Sequence, residues 1–73
     1  MKRSIYGRTD LTKKLIARAK RLLSKMKSEN PSMTWEERNK IINEIAEPYK
    51  NEEMYQPIFY ADSVCNWWRK KYR

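Results

Sequence analysis

The chain contains no histidine, a single cysteine and a single glycine among its 73 residues. A lone cysteine cannot form an internal disulfide, and without histidine the commonest general base and metal ligand is missing. No apolar run approaches the roughly 20 residues that cross a bilayer. The basic start MKRSIYGRTD is not followed by an apolar stretch, so it lacks the pattern of a signal peptide. We therefore expect a cytoplasmic protein that is neither secreted nor membrane-embedded.

Residues that could carry catalysis are also scarce. No glycine-rich phosphate loop is present, and Cys65 has no imidazole partner to activate it, so we expect it to be a buried or half-buried apolar residue. The adjacent pairs Glu36 and Glu37, and Glu52 and Glu53, would point in different directions on a helix. We therefore expect that the protein is not an enzyme and that it has no catalytic residue, cofactor or bound metal.

Charge is abundant and unevenly distributed along the chain. The net charge is +8, which favours an anionic partner. Residues 1–28 carry ten Lys or Arg and one Asp, residues 29–62 have a net charge of −5, and residues 63–73 add four cations. One interpretation is that the acidic middle segment packs against the basic ends and neutralises them. The other is that the acidic segment faces away from a phosphate backbone.

Apolar spacing predicts a long first helix that follows a flexible basic arm over residues 1–9. Asp10 is the expected N-cap, and Pro31 ends the segment because it lacks an amide proton. The predicted apolar stripe consists of Leu11, Leu15, Ile16, Ala19, Leu22, Leu23 and Met26. A second face carries the basic ridge, which we define as Lys14, Arg18, Arg21 and Lys25. A basic ridge of this kind is either a solvated face or a contact surface for an anionic partner.

A capping box predicts the start of the second helix. The hydroxyl of Thr34 can accept from the amide of Glu37, while the Glu37 carboxylate reaches back to the Thr34 amide. The helix is expected over residues 35–47, ended by Pro48. Its inward face is expected to contain Trp35, Ile41, Ile42, Ile45 and Ala46.

The remainder of the chain predicts an irregular segment and a last helix. Residues 48–61 hold two prolines and four aromatic residues, so we expect a short helical turn at 51–55 and an extended Ile-Phe-Tyr segment. Asp62 or Ser63 then caps the last helix. The expected inner side of this helix holds Val64, Trp67, Trp68 and Tyr72, with at least one tryptophan in the core. Together these elements predict an all-α fold, a compact three-helix bundle in a single domain over residues 10–73.

Two stretches, ENPSMTWEERNKIINEIAE and SVCNWWRKKYR, together resemble the second and third helices of a homeodomain. Val64 and Trp67 match core positions of the family, and Trp68 stands where the family has phenylalanine. The resemblance implies a third helix in the major groove and a basic arm in the minor groove, the arm cations being Lys2, Arg3 and Arg8. The adenine-reading asparagine of the family falls at Lys70, which removes the bidentate contact to adenine.

The sequence leaves two main functions open, both of them in transcription. The first is a DNA-binding regulator that uses the arm, the basic ridge and the cations Arg69, Lys70, Lys71 and Arg73. The second is a monomeric ligand of bacterial RNA polymerase. In size, charge and lack of catalytic groups the chain resembles the short proteins that bacteriophages make for that purpose, and Ile5 and Tyr6 would anchor the arm on the polymerase. An RNA-binding ribosomal or antitermination accessory is a third possibility.

Overall fold

The computed structural model describes residues 9–72, which contain three α-helices. They are α1 (Asp10–Glu29), α2 (Trp35–Ala46) and α3 (Pro57–Lys71), and a short 3₁₀ helix, Glu47–Tyr49, continues α2. The predicted all-α class and the three-helix architecture are therefore confirmed. Residues 1–8 of the predicted flexible arm lie outside the described residues, as does Arg73, and Thr9, the last residue of that arm, is described. The arm residues named above are Lys2, Arg3, Ile5, Tyr6 and Arg8.

The N-cap of the first helix lies one residue earlier than the sequence predicted. Thr9, in an extended backbone conformation, is the N-cap and its hydroxyl accepts a hydrogen bond from the amide of Thr12. The prediction of Asp10 as the cap is wrong, because Asp10 is already helical and its carboxylate lies in the first turn, where it complements the helix dipole. Most of the predicted stripe is buried or half-buried, but Leu22 at its edge is exposed.

The second helix has the predicted capping box. The Glu37 amide donates to Thr34 Oγ1 at 3.4 Å, and the Thr34 amide donates to Glu37 Oε1 at 3.0 Å. The helix ends at Ala46 as expected near Pro48, which is accommodated in the 3₁₀ helix. The prediction that Trp35 faces inward is wrong, since 62% of its surface is exposed. Trp35 stands at the first residue of α2, and the buried Met33 before it already fills the core at that end.

The third helix begins at Pro57, well before the predicted caps, so Asp62 and Ser63 lie inside it. Proline is compatible with a first turn because the amide that it lacks has no partner there. The Gln56 amide at the cap donates to Thr12 Oγ1 of α1 at 3.1 Å. The Ile-Phe-Tyr segment is consequently helical rather than extended, and residues 51–55 form turns instead of a helical turn.

Contacts at both ends show that α1 and α3 run in the same direction. At the start, Thr9 donates its amide to Gln56 Oε1 at 2.9 Å, and at the end the Lys27 ammonium lies 5.6 Å from the Trp68 ring. The buried core draws on all three helices and on the turn before α2. Its members are Leu15, Ile16, Ala19, Leu23, Met33, Ile42, Ala46, Tyr60, Val64 and Trp68.

Candidate functional site

The two adjacent tryptophans of α3 have different environments. Trp68 is 7% exposed and belongs to the core, whereas Trp67 is half-buried at its margin. The ring centroids of Trp68 and Tyr72 are 4.6 Å apart. The ring centroid of Trp67 lies 6.5 Å from that of Trp68 and 6.0 Å from that of Tyr72. The expected inner side of α3 is therefore confirmed, and Trp68 has a structural role.

Three cations cover this aromatic cluster. The Lys27 ammonium lies 5.6 Å from the ring centroids of both Trp68 and Tyr72, and it donates to the Pro31 carbonyl at 2.7 Å. The Lys71 ammonium lies 5.8 Å from the Trp67 ring. Ammonium and guanidinium groups over aromatic faces are attracted by the ring quadrupole. Lys27 and Lys71 therefore make contacts within the fold, and Lys27 also links the α1–α2 turn to α3.

Arg38 is the third of these cations and one of only two buried polar residues among residues 9–72. Its guanidinium carbon lies 5.9 Å from the Trp68 ring, and Nε and Nη2 donate to Asn39 Oδ1 at 3.1 and 2.9 Å. Within the described part of the chain no carboxylate lies within ion-pair distance of it. The Arg38 guanidinium therefore contacts the Asn39 side-chain oxygen and the Trp68 ring. These contacts lie within the fold and do not form a binding site.

The basic ridge of α1 lies in solvent along its whole length, since all four of its side chains are exposed. No acid interrupts α1 between Asp10 and Glu29. In α3, the side chains of Arg69, Lys70 and Lys71 are exposed as well. The structure thus keeps the described members of the predicted basic surface accessible on two helices that pack together.

The exposed cations of the basic ends form no direct ion pairs with the acidic segment. Among residues 9–72 the single ion pair joins Lys50 Nζ to Glu47 Oε2 at 2.8 Å, and both residues belong to the middle segment. Any neutralisation of the basic ends by the acidic segment in the described residues is therefore not made through direct ion pairs. Twelve of their thirteen Lys and Arg side chains have no carboxylate partner at ion-pair distance.

A groove between α1 and α3 combines cations with aromatic rings. We call it the α1/α3 groove. It consists of two adjoining depressions that share Lys20 and Ser63, and one of them is lined in addition by Lys13, Ile16 and Ala17 of α1. The α3 side consists of Phe59, Asp62, Ser63, Asn66, Trp67 and Lys70. It therefore contains three ammonium groups, one carboxylate and two partly exposed aromatic side chains.

The groove was not predicted, although the cations that α1 contributes to it form a visible pattern in the sequence. Lys13, Lys20 and Lys27 recur every seven residues and follow one flank of the apolar stripe of α1. Successive residues lie about 100° apart on a helix, so this row and the basic ridge occupy different faces of α1, with Ala17 and Ser24 between them. The sequence could not show that α3 lies along the flank of the row, since this depends on how the helices pack. Lys13 and Lys20 of α1 and Lys70 of α3 thus lie together beside the groove, apart from the ridge.

Residues 9–72 hold neither a cluster of metal ligands nor a membrane-spanning helix. In the range 9–72, no three His, Cys, Asp or Glu side chains come together as ligands for a metal ion. None of the helices there combines the length and the apolar character needed to cross a membrane. Comparisons of the chain with protein-family models, curated proteins and solved structures gave no match.

Proposed function

We propose that this chain is a small non-enzymatic transcription regulator that binds double-stranded DNA through its sugar-phosphate backbone. The observation that supports the proposal is the set of exposed cations on α1 that have no carboxylate partner among the described residues. Counterions released from phosphates are the main source of sequence-independent affinity for DNA. Cations already paired inside the fold would contribute little to that release.

The dimensions of the basic ridge suit a phosphate backbone. Lys14 and Lys25 are separated by eleven residues, so at about 1.5 Å per residue the ridge spans roughly 16 Å of helix. Duplex DNA carries a charge about every 1.7 Å of its axis, so a ridge of this length faces several phosphates at once. With Lys70 at the position where a homeodomain reads adenine, the proposed binding is largely independent of sequence.

Charge substitutions with a matched control test this proposal. Arg21→Gln removes one ridge charge, and Lys40→Gln removes one exposed charge from α2 that has no carboxylate partner among the described residues. Fluorescence anisotropy with a mixed-sequence duplex should show a roughly 5- to 10-fold loss for the ridge variant and a much smaller loss for the control. Equal losses in the two variants would show that net charge, rather than the ridge, governs binding.

A second candidate function is binding to bacterial RNA polymerase, and exposed apolar side chains favour it. Trp35 and Ile58 are 62% and 75% exposed, and both lie on helices outside the basic ridge. Large apolar side chains of this kind anchor protein interfaces, with cations steering the approach. Trp35→Ala with Ile58→Ala should then weaken binding to purified polymerase and leave duplex binding unchanged. Polymerase binding that is indifferent to these substitutions would remove the reason for this candidate.

A further inference from the structure

We propose that the α1/α3 groove receives an unpaired base, so that the protein binds a junction of duplex and single-stranded DNA more tightly than a fully paired duplex. This inference rests on the proposed function, because the basic ridge would hold the backbone from which the base is delivered. Lys20 lines the groove about 100° around α1 from Arg21 of the ridge, so a strand on the ridge reaches the groove by crossing the exposed face of α1 that includes Ala17.

The chemistry of the groove is that of a nucleotide site. Single-stranded nucleic acid is bound by combining cations for the phosphates with aromatic rings on which bases stack. Lys13, Lys20 and Lys70 provide the cations. Phe59, which is 38% exposed, provides a ring that the core leaves accessible. The Asn66 side chain, exposed in the same groove, offers both a donor and an acceptor to the edge of a base.

Trp67 gives one wall of the groove a fixed geometry. Its ring packs edge-on against Trp68 and Tyr72, and the Lys71 ammonium lies 5.8 Å from its centroid. A ring held on several sides loses little conformational freedom when a base contacts it, which favours binding. Asp62 is the one carboxylate in the depression that holds the two rings, against the ammonium groups of Lys20 and Lys70, so the local charge remains favourable for a phosphate.

The test compares two labelled DNAs and two variants. The DNAs are a fully paired duplex and the same duplex with a single-stranded thymidine overhang. Phe59→Leu removes the groove ring while keeping an apolar side chain, and Trp35→Leu is the matched control because Trp35 does not line the groove. The wild-type chain should bind the overhang DNA roughly 5- to 150-fold more tightly, the range expected for one stacked base. Phe59→Leu should abolish this preference without changing duplex affinity, and Trp35→Leu should preserve it.

A second readout does not depend on the Phe59 variant. In the Trp35→Leu protein the remaining tryptophans are the buried Trp68 and the half-buried Trp67, so overhang DNA should quench its fluorescence more than the duplex does. Tight duplex binding with no preference for the overhang, or an equal loss on both DNAs in Phe59→Leu, would overturn the inference and leave the proposed function intact. Failure of the wild-type chain to bind either DNA would overturn both.

Discussion

The guanidinium carbon of Arg38 lies 5.9 Å from the ring centroid of Trp68, and both residues are only 7% exposed. This contact joins α2 to the end of α3 in the interior of the bundle. The cations and aromatic rings of the described residues thus fall into two groups. Trp68 and Arg38 lie in the interior of the fold, whereas the exposed cations and Trp67 lie at the surface where a partner can reach them.

Replacing Trp68 should therefore unfold the protein. Trp68→Ala removes a large buried side chain, which typically costs about 3–5 kcal/mol, a large part of the stability of a domain of this size. Trp35→Ala should change the free energy of unfolding by no more than about 0.5 kcal/mol, since Trp35 is exposed. Urea unfolding followed by circular dichroism measures the free energy of unfolding of both variants. Similar losses for the two tryptophans would contradict the assignment of Trp68 to the core.

Arg38 provides a test of whether its buried charge stabilises the fold. Replacing a buried ion pair with apolar side chains of similar volume is often neutral or stabilising, by about 1–4 kcal/mol, and the Arg38 guanidinium carries the same desolvation cost without a carboxylate partner among the described residues. Arg38→Met should accordingly be at least as stable as the wild-type chain, whereas Arg38→Ala should be less stable because packing is lost. A large loss of stability in Arg38→Met would mean that the contacts with Trp68 and Asn39 outweigh the cost of burying the charge.

The capping box of α2 should make a measurable contribution. Thr34→Ala removes the hydroxyl that accepts from the Glu37 amide and should cost about 1 kcal/mol of unfolding free energy. Thr34→Ser keeps the hydroxyl and should recover most of that loss. Thermal and urea denaturation report the difference. If alanine and serine behave alike at this position, the cap does not stabilise α2.

The buried Tyr60 predicts a loss of stability at alkaline pH. Burial, reinforced by Tyr55 and Cys65, raises the pKa of Tyr60 well above its usual value of about 10. The protonated phenol is favoured in the folded state, so the full contribution of Tyr60 is present below about pH 10. Stability then falls by about 1.4 kcal/mol per pH unit as the pH rises towards the folded pKa.

Tyr60→Phe is the matched control for that pH dependence. At neutral pH it should lose about 0.5–1.5 kcal/mol, because the phenol donates to the Ile42 carbonyl at 2.7 Å. Above pH 10 its unfolding free energy should fall less steeply than that of the wild-type chain. The two proteins differ only in the phenol of residue 60, so the difference between the two curves isolates Tyr60. Parallel curves would show that Tyr60 is free to ionise in the folded state.

The parts of the fold that local signals encode were predictable. The apolar stripe of α1 and the pairing of Thr34 with Glu37 depend on residues within one or two helical turns, and the structure has both. The start of α3 was mispredicted because its cap is supplied from a distance, by the Thr12 hydroxyl of α1 to the Gln56 amide. The local polar residues that resemble an N-cap are Asp62 and Ser63, and both lie inside the helix.

The candidate site was predictable only in part for the same reason. The exposure of Arg18 and Arg21 follows from their helical spacing relative to the apolar stripe. The meeting of Lys20 with Phe59 and Lys70 depends on α1 and α3 packing in parallel, which no local pattern indicates. Trp35 shows the opposite error, since its spacing is that of a core residue and its place at the end of α2 leaves it in solvent.

Contact between the basic ridge and DNA is tested most directly by the salt dependence of duplex binding. If the four ridge cations each neutralise one phosphate, a plot of log K against log salt concentration should have a slope of about −3.6. Arg18→Gln with Arg21→Gln should reduce the slope to about −1.8, and Lys40→Gln, which removes an exposed and unpaired charge outside the ridge, should leave it nearly unchanged. A slope near zero in the wild-type chain, or one that the ridge substitutions do not alter, would contradict phosphate binding by α1.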